Sequence, residues 1–119
     1  MLEELHDRVS AIEEKILLGL DCRNHVIATG GSAVYSSAAM KHLKKDGIAV
    51  FLSVDLETLK ARVHDYDTRG LAKRPDQSLD DLFEERSNLY RTYADIVIPC
   101  AGLTHEEVCT EIMRVLEAA

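Results

Sequence analysis

The chain is short of several features that would have named a chemistry at once. It has three cysteines, Cys22, Cys100 and Cys109, with no C-x-x-C pair among them. An odd, unspaced set argues against a disulfide framework or a zinc knuckle and for free thiols, expected as small, partly buried side chains. No pair of its five histidines has the local spacing of a zinc site. No G-x-S-x-G elbow is present, which excludes that hydrolase arrangement. Gly30-Gly31 is followed by no third glycine at dinucleotide spacing, and no G-x-x-x-x-G-K-[ST] phosphate loop occurs anywhere. No apolar run approaches ~18 residues, so no membrane span is expected. Basic residues are outnumbered, 14 against 21 acidic, and the net charge of −7 argues against a nucleic-acid surface.

What is present fits one globular domain over residues 1–119, with 46% hydrophobic residues. The start, MLEELHDRV, is acidic and helical rather than a signal peptide, which points to the cytoplasm.

Helix-type and strand-type patterns alternate. Leu5, Val9, Ile12, Ile16, Leu17 and Leu20 recur at helical spacing and predict a helix over Leu2 to Leu20. Asp21-Cys22-Arg23-Asn24 is a polar break. His25 to Thr29 reads as a strand ending on Gly30-Gly31-Ser32. Glycines at that end of a parallel strand let backbone N–H groups approach a ligand. A helix is expected from Ser36 to Lys45, capped by Ser36 or Ser37, then a near-continuously apolar strand at Ile48 to Ser53. Asp55 can cap a helix to about His64. Residues 64–77 are dense in charge and read as a long loop. Ser78-Leu79-Asp80-Asp81 resembles a capping box opening a helix to about Tyr93. A third strand is expected at Asp95 to Cys100 and a last helix from Thr104 to near Leu116. The pattern predicts an α/β fold, three-layer α/β/α with a parallel sheet.

The order and spacing of several motifs resemble the shikimate kinase family of small P-loop kinases. They are Ile12-Glu13-Glu14, the VIATGG strand and loop, VFLSVDLETLKARV from Val50, and Thr68-Arg69-Gly70-Leu71. Glu85-Arg86-Ser87-Asn88-Leu89-Tyr90 with Tyr93-Ala94-Asp95 completes the set. The resemblance runs from about Ile12 to the C-terminus. It implies transfer of the ATP γ-phosphate to the 3-hydroxyl of shikimate, with Mg²⁺, in aromatic amino-acid biosynthesis.

Residue by residue, the resemblance makes Gly30, Gly31 and Ser32 the substrate loop, with Ser32 in place of a third glycine. It makes Arg86 the grip on the substrate carboxylate, for which a guanidinium fork is suited. The plain alternative is a surface arginine pairing with Glu84, Glu85 or Asp95. Arg69 falls in the lid-like loop, 64–77, as the cation that stabilises the transferring phosphoryl group, with Lys73 and Arg74 as competitors. Ser10 stands where the family has a second carboxylate-binding arginine, which puts shikimate itself in question.

The resemblance also implies a partial fold that lacks the family's first two strands and the phosphate loop. Met1 followed by a family-like helix suggests a truncated or mis-started reading frame. The strand at His25 to Thr29 then pairs directly with Ile48 to Ser53, leaves a gap, or takes a strand from a partner, including self-association through the incomplete sheet. The expectation is a chain inactive alone. The alternative is a non-catalytic remnant or binding module that uses the exposed sheet for a small anion or a protein.

Overall fold

The computed structural model describes residues 2–62 and 77–118, with side chains from residue 7 onward. The lid-like loop, with Arg69, Lys73 and Arg74, lies outside the described residues except for Gln77.

The first helix, α1, spans Leu2–Leu18 and ends just before Gly19. The polar break follows as expected, and Asn24 takes the left-handed conformation, φ 56°, which Asn tolerates better than most residues. A 3₁₀ segment over Gly31–Tyr35 leads into α2, Ser37–Lys44. Ser36 is the N-cap of α2; its hydroxyl accepts from the Ala39 N–H at 3.0 Å. The core sits where these pieces meet. Leu17, Ala33 and Ala39 are buried together, with Leu20 and Leu43 packed on them. His42 Nε2 bonds the Leu20 carbonyl at 2.6 Å and ties α2 to the end of α1.

Strand β1, Val50–Ser53, runs parallel to β2, Ile96–Pro99, in the register Val50 to Ile96 through Ser53 to Pro99. Between them come α3, Leu56–Arg62, and α4, Leu79–Tyr93. Asp55 caps α3 by accepting from Thr58 N–H at 3.2 Å. The capping box of α4 forms as read from the sequence: Asp81 N–H donates to Ser78 Oγ at 3.1 Å and Ser78 N–H to Asp81 Oδ2 at 3.4 Å. Thr104 and Glu107 make the same reciprocal pair at the start of α5, His105–Ala118.

The α/β class with a parallel sheet holds, but the sheet has two strands among the described residues, not three. His25 to Thr29 forms no strand and pairs with none, and Val26 is 98% exposed. Its sequence suits a strand, yet a strand exists only with a partner for its backbone groups. Direct pairing with β1 does not occur. Both strands are edges of this two-stranded sheet, and Leu52 and Val97 stay exposed although the apolar run at 48–53 reads as buried on both faces. The cysteine expectation also fails in part: Cys100 is buried, while Cys22 and Cys109 are exposed.

Asp95 fastens the start of the sheet. Its N–H donates to the Ala49 carbonyl at 2.8 Å, and its carboxylate accepts from Ala49 N–H at 2.8 Å. Lys44 approaches the same carboxylate at 3.5 Å and donates to the Tyr93 carbonyl at 2.6 Å. The Ala49 N–H first, and the Lys44 charge after it, hold the Asp95 carboxyl below the usual carboxylate range. A depressed folded value contributes stability above the unfolded value of about 3.9, and that stability is lost as pH falls through the folded value. Asp95→Asn should therefore lower the melting temperature at pH 7. Thermal melts by circular dichroism at pH 7 and pH 3 should show the gap from the parent narrowing in acid.

Candidate functional site: a glycine loop held against α4

Gly30 precedes the 3₁₀ segment with extended backbone, φ −66° and ψ 159°. The tight turn is closed by Ala33 N–H donating to the Gly30 carbonyl at 3.3 Å. The loop is held mainly from outside. Tyr90, on α4, donates its hydroxyl to the Gly31 carbonyl at 2.8 Å. Arg86 lies one turn earlier on the same helix face, four residues away. A Cβ placed on Gly31 would stand 2.6 Å from Tyr90 Oη and 2.8 Å from Arg86 Nη1. Glycine lets the guanidinium and phenol tips come this close, and a Cβ there would have to push those two side-chain ends aside.

A second tyrosine backs the arginine. The Arg86 guanidinium carbon lies 5.6 Å from the centre of the Tyr35 ring, within cation–π range. The Tyr35 hydroxyl donates to Glu85 Oε2 at 2.5 Å, and Gln77 Nε2 reaches the same oxygen at 3.2 Å. Burial, and then the Glu85 hydrogen bond, push the Tyr35 phenol up from its ordinary value. Burial also raises Tyr90, with the neighbouring Arg86 charge opposing it. Both phenols are thus kept protonated as donors through the neutral range.

The other wall comes from α1. Ser32 Oγ donates to Glu13 Oε1 at 2.7 Å, and Ser36 Oγ donates to Glu14 Oε2. Between α1 and the loop lies a cleft of about 150 Å³, with Ser10, Glu13, Glu14, Ser32, Tyr35 and Ser36 on its walls. Gly31 and Arg86, expected together from the sequence, are in contact, and Ser32 turns its hydroxyl to Glu13. The competing surface pair with Asp95 does not describe Arg86, because that carboxylate is engaged by Ala49 and Lys44. Tyr35, Tyr90 and Glu13 were not singled out as site residues. The four-residue step from Arg86 to Tyr90 was the available signal for one of them. Among the described residues no group of three His, Cys, Asp or Glu side chains could hold a metal ion. No helix among them is long and apolar enough to cross a membrane.

The sequence model of one family, shikimate kinase, matches residues 4–117. The chain belongs to the shikimate kinase family. It is 36% identical over 107 residues to a shikimate kinase of Thermodesulfovibrio yellowstonii, covering 88% of this chain and 61% of that protein. Against a shikimate kinase of Aquifex aeolicus it is 37% identical over 94 residues, 79% of this chain and 55% of the relative. Against one of Tolumonas auensis it is 34% identical over 108 residues, 87% and 63%. The chain thus spans about half to three-fifths of the length of the curated relatives it matches. No solved structure matches it.

Two substitutions probe the contact between loop and helix. Gly31→Ala should drive Arg86 and Tyr90 off the loop, because both named atoms lie inside the reach of a methyl group. Tyr90→Phe removes one hydrogen bond at a partly solvated site and should cost at most about 1 kcal/mol. Urea denaturation of both variants should show small and comparable losses in midpoint, because the atoms that an alanine displaces are the ends of flexible side chains.

Proposed function

We propose that this chain carries the acid-substrate half of a shikimate-kinase site, binding shikimate beside Gly30, Gly31 and Ser32 with its carboxylate on Arg86. The observation that carries the reading is the seating of the Arg86 guanidinium against the Gly31 backbone. A planar guanidinium beside a glycine loop matches the geometry of a carboxylate, and loop amides beside it suit ring hydroxyls. Membership of the shikimate kinase family supports the reaction class proposed for the whole enzyme, phosphorylation of the shikimate 3-hydroxyl by ATP with Mg²⁺ on the route to aromatic amino acids.

Arg69 is proposed as the cation that stabilises the transferring phosphoryl group, with Lys73 and Arg74 as near neighbours in the sequence. Among the described residues no three His, Cys, Asp or Glu side chains gather, and the sequence has no phosphate loop, so no step is assigned through magnesium or ATP. We therefore propose that this chain alone binds acid substrate without turning over ATP. A cytoplasmic setting is proposed from the exposed thiols of Cys22 and Cys109, which suit a reducing compartment.

Titration calorimetry of shikimate into the chain tests the binding reading. Arg86→Ala should weaken binding about 10- to 100-fold, the loss of roughly 1.5–3 kcal/mol of charged hydrogen bonding. Arg86→Lys should recover little of it, because an ammonium lacks the fork. Unchanged affinity in Arg86→Ala refutes the assignment. A coupled ADP-release assay with shikimate should show no turnover by this chain, and turnover would overturn that part.

Ser10 generates a further expectation. It lines the cleft at the place where the family resemblance puts a second arginine. Ser10→Arg should tighten shikimate binding several-fold and make it more sensitive to salt, measured by the same calorimetry at two ionic strengths.

A further inference from the structure

Helix α1 carries an apolar stripe that the fold does not use. Leu17 enters the core, and Ser10, Glu13 and Glu14 face the cleft. On the adjoining flank Val9, Ile12 and Ile16 are 51%, 59% and 61% exposed. They are spaced by three and then four residues, and Leu2 and Leu5 continue that alternation toward the N-terminus in the sequence. This is the seam of a helix pair, in which apolar residues at alternating steps of three and four meet their counterparts on a facing helix. Val9 and Ile16 then take one seam position, a, and Ile12 the other, d. β-branched residues at a, here Val9 and Ile16, favour two strands.

The flanking charges choose the partner and its direction. Arg8 and Lys15 lie on one side of the seam, and Glu13 on the other. In a parallel, in-register pair, a flanking residue meets the residue five positions later on the facing helix, so Arg8 of one copy meets Glu13 of the other, twice by symmetry. An antiparallel pair would set Arg8 against Lys15, cation against cation. The stripe is complementary to itself in one direction only.

We propose that two copies of this chain associate through α1 as a parallel, in-register helix pair. The apolar seam supplies the affinity, and the two Arg8–Glu13 pairs set direction, since rim ion pairs contribute only ~0–1 kcal/mol each. A helix of 17 residues is about 25 Å long, so the seam is short and the association is expected in the micromolar range. Glu13 is also the acceptor of Ser32 beside the glycine loop. The pairing therefore brings a cation from the second copy to the edge of the cleft. The inference rests on α1 and not on the substrate reading, so either can fail alone.

Sedimentation equilibrium of the full chain from 1 to 200 μM, at about physiological salt to leave the rim pairs partly unscreened, tests association. The mass should rise from 13.3 kDa toward twice that value. Ile12→Lys replaces a side chain already mostly in water, so the fold should persist by circular dichroism while the association midpoint moves up at least tenfold. Direction is read by Val9→Cys in a background of Cys22→Ser and Cys109→Ser. Oxidised glutathione should link two such chains, because matching a positions face each other only in a parallel pair. A monomer at every concentration overturns the proposal and gives the stripe to a different polypeptide. An Ile12→Lys chain that associates like its parent overturns it in favour of another surface, such as the sheet edge. Association without the cross-link overturns the parallel arrangement.

Discussion

The contact between α4 and Gly31 is the constraint from which the functional end of this molecule takes its shape. Fifty-nine residues separate Tyr90 from Gly31, and one hydroxyl closes that distance. The loop has few other supports. The segment before it has no ladder, and the turn after it is a short 3₁₀ piece. Remove the phenol and the guanidinium, and the Ser32–Glu13 bond is what remains between the loop and a neighbouring helix through side chains at these positions. The site is thus positioned by helices reaching toward a glycine turn, where an open α/β sheet ordinarily holds such a turn at a strand end.

The same helix couples the site to the sheet. Tyr90 stacks at a tilt on Phe51 of β1, with ring centres 5.0 Å apart, and the Arg91 guanidinium carbon lies 5.6 Å from the centre of the Phe51 ring. One residue type, tyrosine, therefore spends its hydroxyl on the loop and its ring on the strand, as an amphipathic aromatic can. At the far end of α4 the Lys44–Asp95 clasp and the Tyr93 carbonyl fix where β2 begins. Loop, helix and sheet form one chain of contacts, although the buried core is confined to α1, the 3₁₀ turn and α2 with separate buried residues at Leu79, Leu82, Ile98 and Cys100.

Local chemistry was the legible part of the sequence. Ser36, Asp55, Ser78 and Thr104 each announced a helix start, and each caps one in the structure, because a cap depends on residues three positions apart. Gly31 and Arg86 were legible as motif, and they meet. What could not be read was anything set by distant partners. The strand-type run His25 to Thr29 looks the same on paper whether or not a neighbour exists to bond it. The Tyr35–Arg86–Glu85 cluster needs the turn of the 3₁₀ segment toward α4, which no spacing records. Ser32 read as an intruder in a glycine triplet; its bond to Glu13 depends on where α1 lies.

Val26 shows what an unmet neighbour does to a single residue. Its side chain is as wet in the folded protein as in the unfolded one. Folding gains no hydrophobic free energy from it, and a charged residue at that position would leave the fold's energy nearly untouched. Solubility and foldedness are separable there: the same change that makes the chain less adhesive asks nothing of its core.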